Sequence, residues 1–121
     1  MKYGNITVKQ GDLVILEVRF SDNERSKLRP AIVVSNAQYN EIFDDVVAVG
    51  MYSKITGRDF STIISNDDLK EGFILKTSIV KVDSISKIEK RTIYKKIGAL
   101  KEEKVNEIKN TLCELFGIKN Q

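Results

Sequence analysis

Histidine, the side chain most often used for proton transfer near neutral pH, is missing from all 121 residues of this sequence. Its absence excludes a histidine general base, a histidine-paired nucleophile and a histidine metal ligand. Any proton transfer must therefore use Arg, Lys, Tyr, Asp, Glu, a hydroxyl group or water. The one cysteine, Cys113, excludes an internal disulfide and is typical of a reducing compartment.

The whole chain has a formal net charge of +3, and its positive charge is concentrated in the second part. Residues 1–70 sum to −1 and residues 71–121 sum to +4. The densest basic run, residues 87–96, reads KIEKRTIYKK and includes a tyrosine. Such a run is able to follow a phosphate backbone, and it is also typical of a solvated strand and turn. Charge alone therefore leaves nucleic-acid binding as one of two interpretations.

Most of the elements that would position these groups are short strands. Runs of β-branched and apolar residues predict strands or extended segments at residues 13–18, 29–35, 46–51, 60–64, 73–82, 84–88 and 92–94. Pro30 cannot donate a ladder hydrogen bond, so we expect it at the start of its strand or on a sheet edge. No apolar run approaches the length of a membrane span, and residues 1–5 lead into no signal-length apolar segment. We therefore expect a cytoplasmic protein.

The C-terminal segment has the periodicity of an amphipathic helix. Its apolar residues recur at 3-4-3 spacing, and they are Val105, Ile108, Leu112 and Leu115. Gly117 fits the position that follows the last helical turn. Many short strands followed by one helix predict a mainly β fold, a small antiparallel barrel or rolled sheet with short helical turns. The length predicts a single domain covering residues 1–121.

The order of these pieces resembles the MazF/PemK/Kid family of toxin endoribonucleases from bacterial toxin–antitoxin pairs. The similarity runs from about Gly11 to Gly117. Its most specific parts are the pair Gly11-Asp12, which opens the first strand, and the segment RPAIVVSN at residues 29–36. The resemblance implies an SH3-like barrel that forms a homodimer and cleaves single-stranded RNA without a metal or other cofactor. It also implies a cognate antitoxin that blocks the RNA groove.

The same resemblance assigns roles to individual residues. The family's catalytic arginine precedes the proline of the second strand, where this sequence has Arg29, and its catalytic hydroxyl follows the third strand, where the sequence reads Tyr52-Ser53. We predict that Arg29 and Ser53 are catalytic, with Tyr52 as the alternative source of the hydroxyl. The forked donors of a guanidinium match phosphate oxygens and stabilise the charge that develops when the RNA 2′-hydroxyl attacks phosphorus. The residues predicted to bind RNA are Arg25, Lys27, Tyr52, Lys54 and Lys81.

The sequence departs from the family pattern at three places. If the family threonine aligns with position 52, this chain has Tyr52 there. Residues 23–27 read NERSK, whereas close relatives have a glycine-rich stretch with Glu-Gln, and Ser84 occupies a position that is often Gln. These differences bear on the preferred cut site more than on the type of reaction.

Two other functions stay open at this point. One is a gyrase-poisoning toxin of the same fold, which acts through a C-terminal Trp-Gly-Ile; this chain has Phe116-Gly117-Ile118 and no tryptophan. The other is a non-catalytic SH3-like module that binds RNA with salt-dependent affinity and does not cut it.

Overall fold

A computed structural model describes residues 6–22 and 24–119 of the chain. The N-terminal prediction for residues 1–5 lies outside the described residues, as do Asn23, Asn120 and Gln121. Within the described part, the strands are β1 (Asp12–Arg19), β2 (Ser26–Val33), β3 (Asp45–Tyr52), β4 (Ser61–Ile64), β5 (Leu69–Gly72), β6 (Ser78–Glu89) and β7 (Ile93–Leu100). The helices are α1 (Ala37–Ile42) and α2 (Glu102–Leu115), and 3-10 turns lie at Asn66–Asp68 and Lys90–Thr92.

The described strands form one curled antiparallel sheet in the order β4-β6-β3-β2-β1-β7-β5. Ala31 of β2 lies opposite Gly50 of β3, and Tyr52 lies opposite Ile79 of β6. Because β2 and β3 are antiparallel, the start of β2 and the end of β3 lie at the same end of the sheet. This arrangement confirms the predicted mainly β fold with a terminal helix.

Alternation along the central strands buries both faces of the sheet. Leu13, Ile32 and Val49 belong to one core cluster, whereas their neighbours in sequence, Val14, Val33 and Ala48, belong to a second cluster on the opposite face. Helix α2 covers the first cluster with the predicted stripe, whose members there are Val105, Ile108 and Leu112. The central strands are therefore held on both sides and form a rigid support for whatever lies at their ends.

The helix ends as predicted, at a glycine in the left-handed region. Gly117 has φ of +69°, and the N–H of Ile118 donates to the carbonyl oxygen of Cys113 over 2.8 Å. This six-residue bond closes the last turn in a Schellman arrangement. Within residues 6–22 and 24–119, no helix is both long and apolar enough to cross a membrane.

Several details of the strand prediction were wrong. The predicted pieces at 73–82 and 84–88 are one strand, β6, which begins only at Ser78. Pro30 lies inside β2, opposite Ile15 of β1, and not at the strand start. The pairing of β2 with β3 begins only at Ala31. Pro30, which has no N–H to donate, therefore leaves no hydrogen bond of that pairing unmade. Strand β5 was not predicted because the sequence LKEG lacks strand-forming side chains, and β7 extends to Leu100, well beyond the predicted piece at 92–94.

Candidate active site

Two concave surfaces meet where β2 begins and β3 ends. The first, here called the Arg29 cavity, has a volume of about 390 Å³, and its lining includes Leu16, Arg29, Tyr52, Ser84 and Thr92. The second, here called the Ser53 groove, has a volume of about 1010 Å³, and its lining includes Leu28, Ser53, Phe73, Leu75, Tyr94 and Lys95. Pro30 and Met51 line both surfaces, so the cavity and the groove are direct neighbours.

The Arg29 side chain is placed by the alternation of β2. Arg29 lies two residues before Ala31 and four before Val33, and both of these side chains are buried in the second core cluster. The rigid end of the strand thus aims an exposed guanidinium into the cavity. Within the part of the chain that the structure describes, this guanidinium forms no hydrogen bond or ion pair. Its five donors are therefore available to an anion.

Tyr52 lies in the same cavity and is held there by its neighbours. A Cβ placed on Gly50 would lie 2.8 Å from both Cε2 and the hydroxyl oxygen of Tyr52, so only glycine lets the ring fold back over β3. The hydroxyl lies 3.1 Å from the Oγ of Ser84, and either oxygen can donate. The Nζ of Lys81 stands over the ring, 4.4 Å from its centroid. These contacts fix both the plane of the ring and the position of its hydroxyl.

An ion pair on β6 fixes the loop that follows β3. The guanidinium of Arg58 donates to the carboxylate of Asp83, and this hydrogen bond holds the pKa of Asp83 below its ordinary value. The charge of Lys81 acts in the same direction. The hydroxyl of Ser61 donates to the carbonyl of Arg58 over 2.6 Å. The loop between β3 and β4 is thus tied to the strand that carries Ser84.

The structure does not bring the two predicted catalytic residues into one cavity. Arg29 and Tyr52 share the Arg29 cavity, whereas Ser53 lines the adjacent Ser53 groove. Consecutive residues at a strand end point to opposite sides, which separates Ser53 from Tyr52. The hydroxyl groups that accompany Arg29 are those of Tyr52, Ser84, Ser86 and Thr92.

The residues predicted to bind RNA are spread around this end of the sheet. Lys27 lies two residues before Arg29 on the same face of β2, and Lys54 is exposed just beyond β3. Lys81 is beside Tyr52. Arg25 lines neither surface: its Nε lies 3.1 Å from a carboxylate oxygen of Asp22, and its guanidinium lies 5.2 Å from the centroid of the Phe20 ring. Its charge is thus already partly neutralised.

The two surfaces differ in charge. The lining of the Arg29 cavity mixes Arg29 and Lys87 with Glu17 and Glu89. Among the described residues, the lining of the Ser53 groove contains three lysines, Lys76, Lys95 and Lys96, and no carboxylate. Only Lys96 of these three is paired within the described residues, with Asp12 at 3.3 Å and Glu71 at 3.5 Å. The groove is therefore a basic surface with apolar and aromatic walls.

Sequence reasoning missed the part that Gly50 plays at the site. A glycine inside an otherwise β-branched strand is a signal of close approach by another group, and here that group is the Tyr52 ring. The contact between Tyr52 and Ser84 spans 32 residues of sequence and had no local signal. In residues 6–22 and 24–119, no group of three His, Cys, Asp or Glu side chains is arranged to hold a metal ion.

Solved structures of toxins show the same fold. A MazE–MazF structure (Form-II) from Deinococcus radiodurans superposes with a TM-score of 0.78 at 20% identity, covering 95% of this chain and 100% of that one. An endoribonuclease in complex with its cognate antitoxin, from a mycobacterial species, gives 0.77 at 19% identity over 95% and 100% of the two chains. A further mycobacterial endoribonuclease gives 0.76 at 19% identity over 96% and 97%. The curled sheet with its terminal helix thus defines the fold class of these small toxins.

The sequence itself settles the family. The model of the PemK-like, MazF-like toxins of type II toxin–antitoxin systems matches residues 9–116, which include both surfaces and all of α2. The chain belongs to this family.

Proposed function

We propose that this toxin is a metal-independent endoribonuclease that cleaves single-stranded RNA. The observation that carries the proposal is the guanidinium of Arg29, which has no partner among residues 6–22 and 24–119 and lines a cavity together with the fixed hydroxyls of Tyr52 and Ser84. Family membership supports the same conclusion, as do similar structures whose names describe endoribonucleases.

The chemistry uses the nucleophile of the RNA itself. The 2′-hydroxyl attacks the adjacent phosphorus, negative charge grows on the phosphoryl oxygens, and the 5′-oxygen leaves with a proton. Arg29 is positioned to donate two hydrogen bonds to those oxygens, and its interaction strengthens as their charge increases. The cation thus stabilises the transition state more than the ground state, which is what accelerates a reaction.

The Ser53 groove supports single-stranded RNA as the substrate. Lys76 and Lys95 provide positive charge that no carboxylate of the described residues pairs with, while Phe73 and Tyr94 provide exposed rings on which bases can stack. The Nζ of Lys95 lies 6.0 Å from the centroid of the Tyr94 ring. The groove adjoins the Arg29 cavity, so an RNA strand lying along the groove would place a phosphate beside Arg29. Ser53, Lys54 and Lys27 would contact that strand near the cut.

We also propose two protein partners, a second copy of this chain and a cognate antitoxin. Leu75 is 93% exposed and Phe73 is 67% exposed, and both line the Ser53 groove, so an antitoxin segment that covers them would exclude RNA. The basic groove suits an acidic antitoxin segment that orders as it binds. Similar structures are named as complexes with MazE or with a cognate antitoxin. A sedimentation experiment at micromolar concentration that finds only monomer would refute the homodimer. We also propose a cytoplasmic location, because the proposed substrate, cellular RNA, is found there.

The test of the enzymatic proposal is cleavage of a long RNA of mixed sequence in EDTA. Wild type and Arg19→Ala should give discrete fragments, because Arg19 is exposed at the end of β1 and lines neither surface. Arg29→Ala should lose cleavage while keeping its melting temperature. If folded wild type cuts none of several RNAs, the enzymatic proposal fails and the RNA-binding module replaces it. If folded Arg29→Ala still cuts, the role of Arg29 is wrong.

A further inference from the structure

Residues of two strands hold the phenol of Tyr52: Gly50 of β3 lies beneath it, and Lys81 and Ser84 of β6 contact it. A bulge in β6 makes the contacts from β6 possible. Opposite β3, the pairing of β6 jumps from Gly50–Lys81 to Val49–Ile85, which leaves residues 82–84 as additional residues on β6. In a regular strand, residues 81 and 84 would point to opposite faces because their separation is odd. The bulge allows Lys81 and Ser84 to contact the same side chain, with Lys81 over the ring and Ser84 at the hydroxyl.

Both contacts hold Tyr52 by geometry, since one partner lies over its ring and the other lies at its hydroxyl. An ammonium group above an aromatic ring is attracted to the electrons of that ring, and the attraction grows when the ring gains negative charge. The hydroxyl of Ser84 can donate to the Tyr52 oxygen once that oxygen has lost its proton. The space left by the missing side chain of Gly50 lets the ring lie inside the cavity that Arg29 lines. Together these neighbours hold the phenol oxygen in the cavity where a leaving group beside Arg29 would need a proton.

We propose that Tyr52 is the general acid of RNA cleavage and protonates the 5′-oxygen of the leaving nucleotide; this inference rests on the proposed endoribonuclease function. The bond from the 2′-oxygen to phosphorus forms while the bond from phosphorus to the 5′-oxygen breaks. The proton of the 2′-hydroxyl passes to solvent water, and the phenol proton passes to the 5′-oxygen. The products are a 2′,3′-cyclic phosphate and a 5′-hydroxyl, and the phenolate recovers a proton from water. Lys81 and Ser84 act as positioning residues for this step.

Ser53 is less suited to this role. It lines the Ser53 groove and not the Arg29 cavity, so its hydroxyl is on the other side of the strand end from Tyr52. An aliphatic alcohol is also a weaker acid than a phenol and gains nothing from a cation above a ring. The geometry therefore assigns the acid to Tyr52 and leaves Ser53 to contact the bound strand.

The experiment compares two forms of one RNA oligonucleotide that carries a cut site mapped with wild type. In the first form the leaving atom is the natural 5′-oxygen; in the second it is a bridging sulfur, which leaves as a thiolate without a proton. Tyr52→Phe should cut the oxygen substrate about 100-fold to 10,000-fold more slowly, the range for loss of a general acid. It should cut the sulfur substrate as fast as wild type does. Tyr39 packs its ring on Phe43 and lines neither surface, so Tyr39→Phe should match wild type on both substrates.

Each other outcome decides against a specific step. If Tyr52→Phe cuts both substrates equally slowly, Tyr52 acts in some way other than proton donation. If the variant cuts both at the wild-type rate, Tyr52 takes no part in the reaction. If Ser53→Ala cuts the oxygen substrate slowly and the sulfur substrate at the wild-type rate, Ser53 and not Tyr52 is the general acid. Arg29→Ala should be slow on both substrates, because it stabilises phosphoryl oxygens and not the leaving atom. A folded wild type that cuts neither substrate overturns the proposed function, whereas a wild type that cuts both, with Tyr52→Phe equally active, overturns this inference alone.

The two positioning residues have their own readout. Lys81→Met and Ser84→Ala should slow cleavage of the oxygen substrate and should have little effect on the sulfur substrate. A merely structural role would slow both substrates and lower the melting temperature. Equal effects on the two substrates, in variants as stable as wild type, would contradict a role through Tyr52.

Discussion

Gly50 lies beneath the ring of Tyr52, and a Cβ at this position would lie 2.8 Å from the ring and from its hydroxyl oxygen. The atoms in the way belong to the end of a side chain, so a substitution can push the ring out without breaking the strand. The relationship therefore links one small residue of β3 to the geometry of the cavity.

Gly50→Ala should damage activity much more than stability. Displacing the Tyr52 ring by about 1 Å or more should slow RNA cleavage by up to about 100-fold. The free energy of unfolding should change by no more than about 1 kcal/mol, because alanine also restricts the unfolded chain. Cleavage rates and urea denaturation measure the two effects. In a Tyr52→Phe background, Gly50→Ala should cause little further loss; a full additional loss would show that Gly50 acts elsewhere.

Lys27→Ala should weaken RNA binding through charge alone. Lys27 is exposed on the same face of β2 as Arg29, and a contact with one phosphate contributes about 0.7 to the slope of log K against log salt for single strands. The measurement is salt-dependent binding of an RNA whose 2′-hydroxyls are methylated to prevent cleavage. Arg25→Ala should change the slope less, because Asp22 already pairs with Arg25. Lys70→Ala in β5 is the control, and an equal change there would refute a local contact.

The sequence was sufficient to predict the central strands and α2, because their patterns coincide with their packing. The β-branched runs of β1, β2 and β3 supply alternate residues to the two core clusters, and the helical stripe supplies Ile108. Strand β5 could not be predicted, since its state depends on pairing with β7 and not on its own side chains. The bulge in β6 also has no local sequence signal, because it exists only relative to the register of β3.

The candidate site was predictable only in part for a similar reason. Arg29 followed from its place before Pro30, and the structure puts it in a cavity with no partner in the described residues. The choice between Tyr52 and Ser53 depends on a one-residue register, which decides the side of the strand that each side chain faces. Neither the spacing nor the residue types determine that register.

Gly72→Ala should destabilise the protein strongly. Gly72 has φ of +73°, and a Cβ there would lie 2.1 Å from the carbonyl oxygen of Ile97, so the edge of the sheet must shift. We expect a loss of about 2–3 kcal/mol in the free energy of unfolding, measured by urea denaturation. Gly57→Ala is the matched control, because a Cβ there meets nothing within 4 Å, and its effect should stay within about 1 kcal/mol. A Gly72→Ala variant as stable as the control would contradict the close approach of β5 and β7.

Glu107→Gln should lower stability at neutral pH and have little effect in acid. The hydroxyl of Thr62 donates to the Glu107 carboxylate, and the Nζ of Lys104 donates to Oε1 of Glu107 over 3.1 Å. These two hydrogen bonds, the one from Thr62 above all, lower the pKa of Glu107 below its ordinary value of 4.5. Since the pKa is lower in the folded than in the unfolded chain, the stabilisation is present above about pH 4.5 and disappears as the pH falls through the folded-state pKa. The side chain is half exposed, so the loss at pH 7 should not exceed about 1 kcal/mol. Thermal unfolding of wild type and variant at pH 7 and pH 3 measures it. Glu114→Gln, exposed in the last turn of α2, should show no such pH-dependent loss. A loss for Glu107→Gln that is as large at pH 3 as at pH 7 would show that the ionised contact is not its cause.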